Sequence, residues 1–126
     1  IPEEYVREGV YHDPDRCAEL TRELLQLPEP PTCILMPDDF SSIGGGNAIR
    51  RMDLRFPEDV SAAGYDGIQL ASVTNPAMTT YRQDTAALGK TAAAKLIELI
   101  EKPRTALVDR ILIPGKLVEG GSVRAI

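Results

Sequence analysis

The chain is poor in the residues from which metal centres and nucleic-acid contacts are built. It has one histidine, two cysteines and no tryptophan among its 126 residues. A metal site needs several ligands at suitable spacing, so these counts disfavour a metal centre. The histidine, His12, precedes Asp13-Pro14 and is predicted to be a solvated turn residue. The net charge is -5 and the basic residues are scattered, so we do not expect the chain itself to contact nucleic acid.

Long apolar runs are also missing. No stretch approaches the roughly 18 residues that span a bilayer. The first residues contain neither a methionine nor the basic and apolar regions of a signal peptide, so we expect a piece of a longer protein. With 43% hydrophobic and 26% charged residues, the composition predicts one packed domain. Cys17 falls on the apolar side of a predicted helix and Cys33 in a predicted strand, which predicts two buried thiols in a reducing compartment.

Strand and helix patterns alternate along the chain. Apolar residues that recur every three or four positions indicate helices, and Asp13-Pro14 is a capping signal. The apolar run 32–36 is typical of a strand buried on both faces. The patterns predict strands at 5–11, 32–36, 60–65, 78–82 and within 108–118, and helices at 14–27, 40–54 and 85–101. This order predicts an α/β fold with right-handed βαβ units and a mainly parallel sheet.

Three consecutive glycines, Gly44, Gly45 and Gly46, lie inside the second predicted helix. Each costs about 1 kcal/mol relative to alanine in a helix, so the run requires a physical reason. The close approach of another backbone, or a frayed first turn, would supply one. The run is not a phosphate-binding loop, because it lacks the Gly-Lys-Ser/Thr ending and follows the start of its helix.

Acidic residues follow two of the predicted strands. Ligands of open α/β sheets bind beyond the carboxyl ends of the strands, where Asp38, Asp39 and Asp66 lie. Asp39 is predicted to cap the following helix, which leaves Asp38 as the better ligand candidate. Asp66 is either a hydrogen-bond acceptor for a ligand or a turn residue before Gly67. The three carboxylates could also serve metal or acid–base chemistry, although no catalytic nucleophile accompanies them.

A series of motifs gives the chain a resemblance to a known family. The motifs are Pro31-Thr32-Cys33-Ile34, Asp39 to Gly44 followed by AIRRMDLRFPEDVS, Gly64-Tyr65-Asp66, Thr79-Thr80, Gln83, Leu88-Gly89 and Leu117-Val118. In order and spacing they resemble the effector-binding core of lactose-repressor (LacI/GalR) transcriptional regulators. That core is similar to type I periplasmic sugar-binding proteins, with two α/β lobes and the effector between them, and it follows an N-terminal helix-turn-helix.

The resemblance implies a place in that architecture for each part of the chain. Residues 1–126 would form the C-terminal part of the effector-binding domain, a three-layer, parallel-sheet second lobe. The helix at 85–102 would return to pack on the first lobe, which this chain does not contain.

The resemblance also implies a function. It implies that Asp38 and Asp66 bind a small polar effector, a sugar or a purine. It implies a cytoplasmic homodimer joined through the helix that begins near Asp39, with DNA bound only through a domain absent from this chain. No cofactor, metal, membrane partner or enzymatic activity is implied. Two alternatives stay open: a periplasmic sugar-binding component of a transporter, which shares the fold, and a metal-dependent enzyme that uses Asp38, Asp39 and Asp66.

Overall fold

The computed structural model describes residues 1–103, 105 and 110–125. Within this part of the chain lie three α-helices and four strands, together with two short 3₁₀ turns. In chain order these are a turn at Glu3–Tyr5, α1 at Pro14–Leu25, β1 at Cys33–Leu35, α2 at Asp39–Arg51, β2 at Ser61–Asp66, a turn at Gln69–Ser72, β3 at Thr79–Arg82, α3 at Thr85–Glu101 and β4 at Lys116–Val118. The element order confirms the predicted α/β class.

The strands form one sheet in the order β1-β2-β3-β4. β1 pairs with β2, and β2 with β3, both in parallel. The register sets Ile34 beside Ala62 and Leu35 beside Ala63. Because parallel strands point the same way, the carboxyl ends of β1 and β2 lie side by side at one edge of the sheet.

Two helix starts follow the capping chemistry of the sequence. Asp13 is the N-cap of α1, and its Oδ1 accepts a hydrogen bond of 2.9 Å from the Arg16 backbone N–H. Pro14 occupies the first helical position, as predicted. Asp84 caps α3 in the same way, accepting from the Ala87 N–H at 2.9 Å. Both helices therefore begin where a side-chain oxygen satisfies a free backbone donor.

The chain divides into two compact units. The first consists of residues 1–82 together with the C-terminal segment from Leu117, and the second of residues 83–116. The core lies in the first unit and is formed by residues from α1, α2, the strands and the loops between them: Cys17, Leu24, Leu25, Ile34, Met36, Ile49, Val60, Ala62, Ala71 and Met78. In α3, by contrast, no residue is buried, and Leu88 and Leu96 are exposed.

The predicted strand at 5–11 is wrong. Glu3–Tyr5 forms a 3₁₀ turn, closed by a hydrogen bond from the Val6 N–H to the Glu3 carbonyl. The residues from 6 to 10 have extended or irregular backbone without strand pairing. A strand requires a neighbour that exchanges backbone hydrogen bonds with it, and residues 6–10 have none among the described residues. Of the strands predicted within 108–118, Lys116–Val118 is observed, and residues 106–109 lie outside the described part.

The prediction that the strand at 32–36 is buried on both faces is also wrong. Ile34 is buried, whereas Cys33 is exposed and Leu35 is 77% exposed. Within the first unit, helices pack on the face of the sheet that carries Ile34, whereas Cys33 and Leu35 of β1 are exposed on the other face. The prediction of two buried thiols therefore holds for Cys17 and fails for Cys33.

The glycines of α2 are explained by packing inside the chain. A Cβ at Gly44 would lie 1.7 Å from the carbonyl oxygen of Pro14 in α1. A Cβ at Gly45 would lie 2.3 Å from the methyl group of Met36. The expected close approach of another backbone is thus confirmed, and that backbone belongs to α1 of the same chain. The glycine run consequently gives no support to a contact between two chains.

The C-terminal segment that contains Gly120 and Ser122 forms hydrogen bonds with both β2 and β3. Ser122 is fully buried, and its hydroxyl donates to the carbonyl of Ala62 at 2.6 Å and accepts from the N–H of Thr79 at 2.7 Å. Gly120 donates its N–H to Thr79 Oγ1 at 3.0 Å. This one hydroxyl therefore joins β2 to β3 through a residue 60 positions from Ala62 and 43 positions from Thr79.

Ser122→Ala should lower the free energy of unfolding by about 1–3 kcal/mol, because it leaves the buried N–H of Thr79 without an acceptor. Urea unfolding followed by circular dichroism measures the change. Ser72→Ala is the matched control: that exposed hydroxyl bonds only to the nearby Gln69 carbonyl, so its effect should stay within about 0.5 kcal/mol. Equal stabilities for the two variants would contradict the role given to Ser122.

Candidate functional site

The site lies at the carboxyl edge of the sheet, where β1 and β2 end. β1 leads to Asp38 and β2 ends at Asp66, so the parallel pairing carries both carboxylates to the same edge. The dipeptide Tyr11-His12 connects them. The Tyr11 hydroxyl donates a hydrogen bond to the Asp66 carboxylate, and the His12 N–H donates to Asp38 Oδ2 at 3.1 Å. The structure therefore places both predicted ligand residues in one side-chain network.

Asp38, and not Asp39, is the N-cap of α2, which corrects the predicted cap by one residue. Its Oδ1 accepts from the Ser41 N–H at 2.8 Å and its Oδ2 from the Ser41 hydroxyl at 2.7 Å. The side chain has no exposed surface. Burial alone would raise the pKa of Asp38, but the hydrogen bonds from Ser41 and from the His12 N–H outweigh it, so the pKa is lowered. Asp38 is thus a charged carboxylate that holds the loop containing His12 against α2.

Asp39 lies behind the site and fixes the loop that follows β2. Its Oδ2 accepts from the Ile68 N–H at 2.9 Å, while its buried Oδ1 has no hydrogen-bond partner among the residues that the structure describes. That oxygen packs against Gly64, where a Cβ would lie only 2.3 Å away. Gly64 is therefore required so that the Asp39 carboxylate can reach the sheet. This gives Asp39 a structural role in placing the chain that carries Asp66.

Asp66 lies at a backbone position that few non-glycine residues adopt. Its φ is 104°, and Gly67 follows with a φ of 70°. The Gly67 N–H donates to Thr80 Oγ1 at 3.2 Å, which holds the reversed backbone against β3. Asp66 is therefore part of a turn, as one of the two interpretations held. Strained backbone of this kind concentrates at functional sites, where surrounding structure enforces it.

An aromatic group beside the carboxylates was not predicted from the sequence. Tyr11 and His12 stack with ring centroids 4.2 Å apart, and Phe40 meets His12 edge-on at 5.8 Å. Tyr11 had been assigned to a strand and His12 to a solvated turn. His12 is largely exposed, yet its φ of 59° and its backbone bond to Asp38 tie it to the site. No local signal was available, because no strand of the described chain precedes α1 and the contact of Tyr11 with Asp66 spans 55 positions.

The hydrogen bond between Tyr11 and Asp66 changes the chemistry of the phenol. Because the bond is formed to a carboxylate, and Asp38 and Asp39 add further negative charge, the pKa of Tyr11 is raised to about 12. The hydroxyl therefore stays protonated at neutral pH and remains a donor. The arrangement offers a carboxylate acceptor beside an aromatic surface, which suits a neutral ligand with hydroxyl or amine groups.

Other kinds of site have less support. Among the described residues, no group of three or more histidine, cysteine, aspartate or glutamate side chains is placed to hold a metal ion. None of the helices in the described part of the chain is long and apolar enough to cross a bilayer.

The capping role of Asp38 can be separated from its charge. Asp38→Ala should lower the free energy of unfolding by about 1–2 kcal/mol, because α2 loses its cap. Asp38→Asn should cost less, since asparagine is an equally good cap. Because the folded-state pKa of Asp38 is lowered, its charge stabilises the fold at neutral pH, and that contribution disappears as the pH falls through the lowered pKa. Urea unfolding at neutral and acidic pH measures both effects, and equal losses for the two variants would contradict the cap assignment.

Comparison with known proteins decides the family. Residues 2–123 match the family described as the periplasmic binding protein-like domain. The chain belongs to this family. It is 32% identical, over its whole length, to the probable HTH-type transcriptional repressor ExuR of Bacillus subtilis. It is also 32% identical, over 98% of its length, to the HTH-type transcriptional repressor PurR of Escherichia coli. In both cases it spans 37% of the relative's length.

Solved structures of this periplasmic binding protein-like family agree. A putative LacI transcriptional regulator from Bacillus cereus subsp. cytotoxis superimposes with a TM-score of 0.90 at 26% identity, covering 98% of this chain and 43% of that one. The lac repressor dimer bound to operator and the anti-inducer ONPF gives 0.78 at 29% identity, over 87% and 38%. The transcriptional regulator CelR in complex with cellobiose gives 0.79 at 28% identity, over 87% and 33%.

These matches confirm the resemblance to the effector-binding domain of LacI/GalR regulators. The relatives named above are transcriptional repressors and regulators. The alternative of a transporter's sugar-binding component is not favoured by them.

Proposed function

We propose that the chain is the second lobe of a LacI-type regulator and binds a small polar effector at the carboxyl edge of its sheet. The observation that carries the proposal is the network of Tyr11, His12, Asp38 and Asp66 at that edge. Asp66 is proposed to accept hydrogen bonds from the effector directly. Its carboxylate is held by a strained turn, so it is positioned before any ligand arrives.

Asp38 is proposed as the second ligand residue. Its carboxylate lies beneath the His12 backbone and is fully buried in the chain as described, so direct contact requires the loop at His12 to move. If that loop stays in place, Asp38 acts by holding His12 and, through the stack, Tyr11. An affinity loss in Asp38→Asn, which keeps the cap, would support a ligand role for its second oxygen.

The proposed effector is a sugar or a purine. Both classes present a flat apolar face and a ring of donors and acceptors at its edge. Tyr11, His12 and Phe40 supply aromatic surface, and Asp66 supplies an acceptor for a hydroxyl or amine. The CelR complex with cellobiose shows that a structure similar to this one accommodates a sugar, which favours the sugar class.

The rest of the protein is proposed to cover the apolar surfaces that this chain leaves open. A cavity of about 740 Å³ lies beside β1 and is lined by apolar residues that include Leu20, Leu35 and Tyr65. A parallel sheet is normally covered on both faces, and here Leu35 of β1 is left exposed on one of them. In the second unit, Leu96 is 58% exposed and Ile100 is exposed as well. We propose that α3 packs on the first lobe of the whole protein.

The same proposal gives the whole protein its partners. It is a cytoplasmic homodimer that binds DNA through a domain outside this chain, as the lac repressor dimer bound to operator suggests. Effector binding shifts the balance between two arrangements of the lobes, and the shift changes the affinity of the dimer for DNA. No covalent step and no cofactor are needed.

The test is a ligand screen on the full-length protein. Monosaccharides, disaccharides and purine bases are compared by the shift that each causes in the melting temperature, because a ligand that binds the folded state stabilises it. The ligand that raises the melting temperature should also change binding of the protein to a DNA fragment from the control region of its own gene. A protein that binds no member of either class, or whose DNA binding ignores the ligand, would refute the proposal.

A further inference from the structure

The Asp66 carboxylate already has a donor inside the chain. Tyr11 donates its hydroxyl to Asp66 Oδ2, although the two residues lie 55 positions apart in the sequence. A hydroxyl donated to a carboxylate is also the contact that a sugar or purine ligand would make there. The chain therefore holds, without ligand, a contact of the same chemistry as the one proposed for the effector.

Four contacts hold Tyr11 and the two residues that follow it in this position. Its ring stacks on His12 at 4.2 Å with an interplanar angle of 20°. The backbone of His12 is fixed by its N–H bond to buried Asp38, and the His12 ring is bordered by Phe40. The Asp13 N–H is fixed as well, donating to the Ser41 hydroxyl at 3.1 Å. Because the segment from Tyr11 to Asp13 is anchored to the start of α2, the phenol is directed at Asp66 by the fold.

Building on the proposed function, we propose that Tyr11 is a specificity-determining residue whose hydroxyl occupies Asp66 until the effector displaces it. A ligand gains at Asp66 only the difference between its own hydrogen bond and the one that Tyr11 gives up. Ligands without a well-placed donor therefore gain nothing there, since the carboxylate loses its existing donor on their entry. The site therefore binds most tightly those ligands whose hydroxyl or amine reaches Asp66 and whose ring contacts the displaced phenol.

The raised pKa of Tyr11 is consistent with this competition and provides a readout that needs no ligand. Subtracting the ultraviolet alkaline titration of Tyr11→Phe from that of the full-length wild type isolates the Tyr11 phenol. It should titrate at a pKa of about 12. The titration is repeated in the Asp66→Asn background, by subtracting the curve of the Asp66→Asn, Tyr11→Phe double variant from that of Asp66→Asn. There the pKa of Tyr11 should move back toward the ordinary tyrosine value, because the carboxylate acceptor has gone. A Tyr11 phenol that titrates alike in both backgrounds would overturn the proposal.

The second readout is affinity, with D-glucose, cellobiose and guanine as probes. Tyr11→Phe keeps the ring and removes the competing hydroxyl, so it should bind the recognised probe about three- to tenfold more tightly than wild type. Tyr65→Phe is the control. It also removes one tyrosine hydroxyl, from a ring that stacks on Tyr81, and the variant should bind the probe with wild-type affinity. Weaker or unchanged binding by Tyr11→Phe would overturn the proposal and make Tyr11 an ordinary contact residue.

The two proposals fail in different ways. Suppose that a probe binds and that Asp66→Asn weakens its binding, but that Tyr11→Phe binds it no more tightly than wild type. The proposal that the effector displaces Tyr11 is then wrong, and the proposed effector site at Asp66 stands. If no probe of either class binds, the ligand classes of the proposed function are wrong. The alkaline titration then still decides whether Tyr11 occupies Asp66.

Discussion

Gly44→Ala is expected to destabilise the protein by about 3 kcal/mol or more. The added methyl would lie 1.7 Å from the carbonyl oxygen of Pro14, 2.5 Å from its carbonyl carbon and 2.8 Å from its Cα. All three are backbone atoms, so no rotamer change can relieve the overlap, and α1 would have to move away from α2. Overpacking of a well-packed site costs about 1–3 kcal/mol, and more where the obstacle is rigid. Urea unfolding of the full-length protein measures the loss.

Gly89→Ala is the control for this substitution. Gly89 also lies within a helix, α3, but outside its own helix no atom of the described residues lies within 4 Å of the Cβ that alanine would add. Alanine is about 1 kcal/mol better than glycine in a helix interior, so this variant should be neutral or slightly more stable. If Gly44→Ala proved as stable as Gly89→Ala, the close packing of α1 on α2 would be wrong.

Asp66→Asn, made in the Tyr11→Phe background where no phenol competes for the carboxylate, is expected to weaken effector binding by about tenfold to a hundredfold. A hydrogen bond to a charged group contributes about 1.5–3 kcal/mol, and asparagine replaces one carboxylate oxygen with a donor. Asparagine is the right substitute because it tolerates a φ of 104° better than alanine, which would add strain to the lost contact. Titration calorimetry with the effector found in the ligand screen measures the change.

Asp15→Ala is the matched control for Asp66→Asn. It also removes one carboxylate, from the exposed first turn of α1. Its effector affinity should equal that of the wild type, because its charge is not part of the side-chain network at the site. An equal loss in both variants would mean that net charge, and not the position of Asp66, governs binding.

The sequence predicted well those elements whose signals are local. α3 has the predicted bounds because Asp84 caps it and Pro103 follows it, and both signals lie within a few residues of the helix ends. The start of α1 was predicted for the same reason. For α2 two adjacent aspartates competed for the cap. Asp38 is the cap because its carboxylate accepts from both the N–H and the hydroxyl of Ser41. The hydrophobic pattern of the sequence does not indicate this contact.

Features that depend on distant partners could not be predicted from local patterns. Residues 5–11 have a strand-like pattern, but no neighbouring strand pairs with the described residues from 6 to 10. Leu35 has the hydrophobicity of a core residue, but the residue is 77% exposed on the face of the sheet opposite Ile34. Ser122 is a polar residue near the chain end, and its importance comes from Ala62 and Thr79, far away in sequence.

The candidate site shows the same division. The placement of Asp38 and Asp66 at one edge could be predicted because both follow strands, and parallel strands bring their carboxyl ends together. Tyr11 was missed because its contact with Asp66 spans 55 positions and depends on how the segment before α1 folds back. Acidic residues at strand ends can therefore be predicted from sequence order, whereas the aromatic side chains that contact them require the folded structure.

The central claim is that the effector binds at the carboxyl edge of the sheet and is held by Asp66. A crystal structure of the full-length protein with its effector tests this most directly. The claim predicts a ligand hydroxyl or amine within hydrogen-bond distance of Asp66, the Tyr11 hydroxyl moved away from that carboxylate, and the ligand ring against Tyr11 or Phe40. A ligand bound elsewhere, with Tyr11 still donating to Asp66, would contradict it.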